Sequence, residues 1–110
     1  MVKIEKETQE KIQHLQILEQ NLQSFLLQKQ AFQFELNETE NALKEVGKTK
    51  EDIFKIIGQV MIKSAKEDIE NELKQKKDIL ELRIKSFEKQ ESRLKEESEK
   101  LKEEVIRKIK

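Results

Sequence analysis

From Met1 to Val46 neither glycine nor proline interrupts a seven-residue alternation of apolar side chains. Met1, Thr8, Leu15, Leu22, Lys29, Leu36 and Leu43 occupy one position of the repeat, and Ile4, Lys11, Leu18, Phe25, Phe32, Thr39 and Val46 the other; ten of these fourteen are apolar. Side chains three and four residues apart share a helix face, so the spacing predicts one long helix with a narrow seam for a second. Gly47 follows where a C-terminal cap is wanted, and residues 1–46 read as a first coiled-coil helix. A second frame opens near Lys66. Leu73, Leu80, Phe87, Leu94 and Leu101 recur every seven residues, partnered by Lys77, Ile84, Glu91, Ser98 and Val105. Residues 65–110 therefore read as a second coiled-coil helix, supported on its outer face by pairs such as Glu70 with Lys74 and Glu81 with Lys85.

Between the two frames, over residues 47–64, the period changes to that of a strand. Ile53-Phe54-Lys55-Ile56-Ile57 and Val60-Met61-Ile62-Lys63 flank the dipeptide Gly58-Gln59, which predicts a linker followed by a β-hairpin with a two-residue type II′ turn. The fold class is thus mainly α: a long antiparallel two-helix coiled coil with one β-hairpin between the helices. Strand alternation puts Ile53, Lys55, Ile57, Val60 and Ile62 on one face, and Phe54, Ile56 and Met61 on the other. Both faces carry apolar groups that a lone two-stranded hairpin cannot cover. An oligomerisation surface of Ile53, Phe54, Ile56, Ile57, Gly58, Val60, Met61 and Ile62 is expected. Leu27, Ala31 and Phe34 in the first helix and Ile79 and Leu82 in the second lie off the seam, and are expected to pack on the hairpin assembly or a neighbouring subunit.

Composition narrows function by exclusion. With 42% charged and 35% apolar residues, and no Trp, Tyr, Cys or Pro, the chain is too thin in apolar groups for a globular core. Twenty-three Lys and Arg balance twenty-three Asp and Glu, so neither helix is a basic stripe and no nucleic-acid partner is expected. No apolar run approaches the roughly 20 residues of a membrane span, and the opening Met-Val-Lys-Ile-Glu does not read as a signal peptide. A soluble protein of the cytoplasm, without a membrane partner, is expected. One histidine and no cysteine do not assemble a nucleophile, base and orienting group, so neither catalysis nor a cofactor is expected. His14, with Glu10 one turn before it, falls short of a metal ligand set and reads as a solvated residue.

The layout resembles a prefoldin subunit of the archaeal type. The resemblance is carried by Leu26-Leu27-Gln28-Lys29-Gln30, by the hairpin with Lys55, Gly58 and Lys63, and above all by Leu80-Glu81-Leu82-Arg83-Ile84-Lys85-Ser86-Phe87-Glu88-Lys89-Gln90-Glu91. Residues 47–64 leave room for one hairpin only, which is similar to the β class rather than the two-hairpin α class. Many β-class chains open with a proline-containing segment; this one has no proline. The resemblance implies a hexamer of two α and four β subunits whose hairpins close into β-barrels. It also implies an ATP-independent holdase, a chaperonin cofactor that captures unfolded proteins and delivers them to a group II chaperonin. A plain coiled-coil tether or dimerisation rod would use the same heptads, but has no use for strand-forming residues around Gly58.

Antiparallel pairing of Phe32 with Leu80 and Phe25 with Phe87 continues as Leu18 with Leu94, Lys11 with Leu101 and Ile4 with Lys108. Alternate layers pair Leu22 with Glu91, Leu15 with Ser98 and Thr8 with Val105. Polar seam residues weaken a coiled coil, so this end is expected to splay and expose its own leucines. With the resemblance, that gives a client-binding tip of Ile4, Ile12, Leu15, Ile17, Leu101, Val105, Ile106 and Ile109. Glu96, Glu97, Glu99, Glu103 and Glu104 are the expected chaperonin-docking residues by the same resemblance, against the plainer reading of a solvated helix face.

Overall fold

The computed structural model describes residues 5–109. In chain order these form helix α1 (Lys6–Lys48), strand β1 (Ile53–Ile57), strand β2 (Val60–Ser64) and helix α2 (Lys66–Ile109). The helices contribute to two compact units, one of residues 5–30 with 85–109 and the other of residues 31–84.

In the unit of residues 31–84, Leu36, Leu80 and Ile84 form a buried cluster with Phe32 packed against it. These are seam positions of both helices, so the seven-residue spacing becomes packing here. The Arg83 guanidinium lies 5.6 Å from the Phe32 ring centroid, and Lys76 reaches Glu35 at 3.5 Å. Thr39 is a polar seam residue and is nonetheless buried. Its hydroxyl donates to the Glu35 carbonyl at 2.8 Å, one turn back on its own helix, so its burial leaves no unpaired group.

Strands β1 and β2 pair antiparallel from Ile53 with Ser64 to Ile57 with Val60. Gly58 has φ of +59°, and no non-glycine residue described has a positive φ, which is the type II′ pattern expected from its place first in the turn. Helix α1 ends differently from expectation. It runs past Gly47 to Lys48, and Gly47 does not take the left-handed conformation of a glycine cap. The work of the cap passes to Lys66 at the start of α2, whose ammonium donates to the carbonyls of Gly47 (3.2 Å) and Thr49 (3.3 Å). A cation on carbonyls left unpaired at a helix C-terminus offsets both the missing hydrogen bonds and the dipole.

In the unit of residues 5–30 with 85–109, Phe25 and Phe87 meet edge to face, with centroids 5.5 Å apart. The splaying expected of this region is not seen: Thr8, Leu18, Ser98 and Val105 are all buried. Thr8 and Ser98 are small enough to be enclosed there, and no buried side-chain polar atom among the described residues lacks a hydrogen-bond partner. The charged seam residues are also accommodated. Lys11 turns to Glu104 at 3.1 Å and Glu7 at 3.8 Å. Lys29 reaches Glu91 at 3.3 Å and Glu88 at 3.9 Å, and Glu91 takes Lys95 at 3.0 Å on its other oxygen.

The Glu91 side chain is only 14% exposed. Its hydrogen bond from Lys95, reinforced by Lys29, holds the carboxyl below its ordinary value, although burial pushes the other way. A carboxyl with a depressed folded pKa stabilises the fold above its unfolded pKa, and that contribution is lost as pH falls through the folded value. Glu91→Gln should therefore cost about 1 kcal/mol at pH 7, the scale of a hydrogen bond to a charged group discounted for partial exposure. The difference should shrink as pH falls through the lowered folded pKa of Glu91, where the carboxyl of the unsubstituted chain itself becomes neutral. Thermal unfolding followed by circular dichroism at pH 7 and down an acid series checks this; a deficit that does not change with pH would assign the effect to packing.

Candidate assembly hairpin and client surface

A two-residue turn makes Ile57 and Val60 a hydrogen-bonded pair, and pair types alternate along an antiparallel ladder. Lys55 with Ile62 and Ile53 with Ser64 are then hydrogen-bonded as well. At Ile56 with Met61 and Phe54 with Lys63 the backbone N–H and C=O groups point outward, away from the partner strand. The hairpin thus presents two short rows of unpaired peptide groups, the arrangement to which a further strand adds. Its side chains are equally uncovered: Phe54, Ile56, Ile57, Val60, Met61 and Ile62 are 45–68% exposed, with Ile53 half-buried and Gly58 open at the turn. All eight residues expected of the oligomerisation surface lie together on this one element.

Among the residues expected to hold clients, the structure separates two groups. Ile17, Ile106 and Ile109 are exposed. Val105 is buried in the seam, and Ile12, Leu15 and Leu101 are half-buried, which corrects the expectation that all of them are displayed. The physical reason is the closed seam, in which Thr8, Ser98 and Val105 are all buried. Ile4 lies outside the described residues. By heptad position Ile12, Ile106 and Ile109 share the flank marked by the Glu19–Lys102 ion pair at 3.6 Å, while Ile17 is on the other. Glu96, Glu97, Glu99, Glu103 and Glu104 are exposed, and Glu104 is the one engaged by Lys11.

Off the seam, Leu27, Phe34, Ile79 and Leu82 are each more than half exposed. Among the described residues no group of three or more His, Cys, Asp or Glu is placed to hold a metal ion, and no helix is long and apolar enough to cross a membrane. Two ion pairs escaped the sequence reading although their signals were present. Lys29 and Glu91 stood out separately as charged seam residues, and their opposite signs were the clue that they meet. Lys55, a charge in an apolar strand, reaches Glu72 of α2 at 2.8 Å.

The chain is an antiparallel helix pair whose intervening hairpin exposes apolar side chains on both faces. The prefoldin subunit family profile matches residues 9–110. The chain is 42% identical to the prefoldin subunit beta of Pyrobaculum calidifontis, over 80% of this chain and 72% of that one. It is 36% identical to the prefoldin subunit beta of Pyrobaculum neutrophilum, over 99% and 88% of the two chains. The crystal structure of the prefoldin beta subunit from Thermococcus strain KS-1 superposes with a TM-score of 0.92 at 30% identity, covering 100% of this chain and 98% of that one. The chain belongs to the prefoldin family, on the β-subunit branch.

The two pair types in the hairpin separate two proline substitutions. Ile62→Pro removes a bond inside the ladder and should melt the hairpin. Ile56→Pro removes an outward N–H, of the kind an edge strand does without, and should leave the hairpin intact while blocking addition of a neighbouring strand. Sedimentation velocity should find both variants unassembled with helix content unchanged; normal assembly of Ile56→Pro would show that the outward row is not used.

Proposed function

We propose that this chain is the β-class subunit of a prefoldin hexamer of two α and four β subunits, an ATP-independent holdase of the cytoplasm. It captures unfolded proteins on its coiled-coil tips and passes them to a group II chaperonin. The observation that carries this reading is the hairpin: six apolar side chains on two faces remain 45–68% exposed. A tether or rod would gain nothing from such a surface, whereas a subunit completed by its neighbours needs it.

Client capture falls to the apolar groups that the closed coil leaves outside. Ile106 and Ile109, with Ile12 beside them in heptad position, supply a small patch on each subunit, and Ile17 supplies the other flank. Leu15, Leu101 and Val105 stand behind it and become available when the seam opens; Ile4 completes the set proposed from the sequence. Each contact is weak by itself, but several linked tentacles raise the effective concentration of binding sites around one unfolded chain. The acidic residues Glu96, Glu97, Glu99 and Glu103, with Glu104, are the proposed chaperonin-facing groups, where charge complementarity would steer encounter more than add affinity.

The test replaces Ile106 and Ile109 by serine, and separately Val105 by serine, in a chain assembled with its α-class partner. The paired change should abolish suppression of aggregation of a denatured client and leave the hexamer and its melting temperature intact. Val105→Ser should instead lower the coil's stability by about 1–2 kcal/mol, as loss of buried methyl groups does. Full holdase activity in the Ile106→Ser, Ile109→Ser hexamer would show that clients bind elsewhere.

A further inference from the structure

The hairpin raises a question that its own packing leaves open. Its two faces are chemically alike, Ile53, Ile57, Val60 and Ile62 on one and Phe54, Ile56 and Met61 on the other, and the side chains of both are largely exposed. Hydrophobic burial therefore does little to decide which face turns toward the chain's own helix and which is presented to a neighbour. Among the described residues, the side chain that links a hairpin strand to a helix through an ion pair is Lys55, in the middle of β1. Its ammonium sits 2.9 Å from one carboxylate oxygen of Glu72 and 2.8 Å from the other. Lys55 shares its face with Ile53 and Ser64, and these three are the half-buried residues of the hairpin; Phe54, Ile56, Met61 and Lys63 on the opposite face are all exposed.

We propose that Lys55 and Glu72 form a positioning pair that turns the Ile53–Lys55–Ile57 face to α2, so that the hairpin is aimed before it meets its neighbours. This rests on the reading of the hairpin as the assembly element. An exposed ion pair contributes little stability, and here little is enough, because no packed face competes with it. Two further contacts restrict the base of the hairpin without choosing a face. Lys63 reaches Asp52 at 3.5 Å in the entering segment, and Lys66 holds the carbonyls of Gly47 and Thr49. What remains free is the tilt of the strands about that base, and Lys55 is placed to fix it. Two other charged groups along α2 are committed elsewhere: Lys76 pairs with Glu35, and Arg83 stacks on Phe32.

The experiment uses the full chain, whose lack of cysteine allows spin labels at Gln59→Cys in the turn and Asn71→Cys in α2. The interspin distance should be narrowly distributed in the otherwise unsubstituted chain, broad in Lys55→Glu and in Glu72→Lys, and narrow again in the double reversal. Added salt should broaden the first and last alike, since exposed pairs are screened. Without labels, each single reversal should weaken assembly with the α-class subunit by roughly fivefold per β subunit, the upper end for an exposed pair. The double reversal should restore it, and helix content should be the same in all four chains. A distance unaffected by single reversal, or a double reversal that rescues neither readout, overturns the proposal. If the distances respond as described but even the unsubstituted chain fails to join the α-class subunit, the assembly reading falls, and with it the pair's role in assembly, while its hold on the hairpin stands.

Discussion

Two helices packed side by side bury one stripe each, and this chain has little else to bury. Among the described residues the buried apolar side chains are Leu18, Leu36, Leu80, Ile84 and Val105, all at seam positions. The other seam leucines and phenylalanines are partly buried, and the hairpin's apolar side chains apart from Ile53 are exposed. A seam of that width supports a coiled coil but leaves the hairpin's apolar side chains 45–68% exposed, and on the proposed reading they are covered from outside the chain. Burying six side chains that are already about half covered would recover on the order of 1 kcal/mol each. That gain is large beside the marginal stability of an isolated two-stranded hairpin. Assembly in this account is therefore completion of the fold.

Polar seam residues have a different consequence from the one their hydropathy suggests. Counted as defects, Thr8, Ser98, Lys29 and Glu91 predict an open coil. Found in the structure, the hydroxyl residues are small enough to be enclosed, and the charges pair with each other. A lone charge in the seam would be costly; two opposite charges that meet, with Lys95 and Glu88 at their solvent side, cost little and favour the register in which they meet. The proposed client surface shrinks accordingly, from a splayed end to the exposed isoleucines outside a closed seam.

The two helices, the strand pairing and the II′ turn were all readable from periodicity and from the position of Gly58, because each depends on neighbours in the chain. The hairpin surface was readable for the same reason: alternation alone shows apolar groups on both faces. What escaped depends on contacts between distant residues. The cap on α1 is a lysine nineteen positions from Gly47 in the chain, and the burial of Val105 depends on the other helix. Lys29 and Lys55 looked like interruptions in apolar patterns until their partners Glu91 and Glu72 were in place. Heptad arithmetic finds which side chains face a seam, but how a polar one is satisfied there is decided by the other helix.

The claim on which the account turns is that the hairpin is unfinished until other subunits cover it. Native mass spectrometry of this chain mixed with an α-class prefoldin subunit tests it most directly. The account predicts one dominant species containing two α-class chains and four copies of this one, with little of this chain left free. A chain that remains a monomer, or settles as a dimer with itself and ignores the α-class subunit, would contradict it.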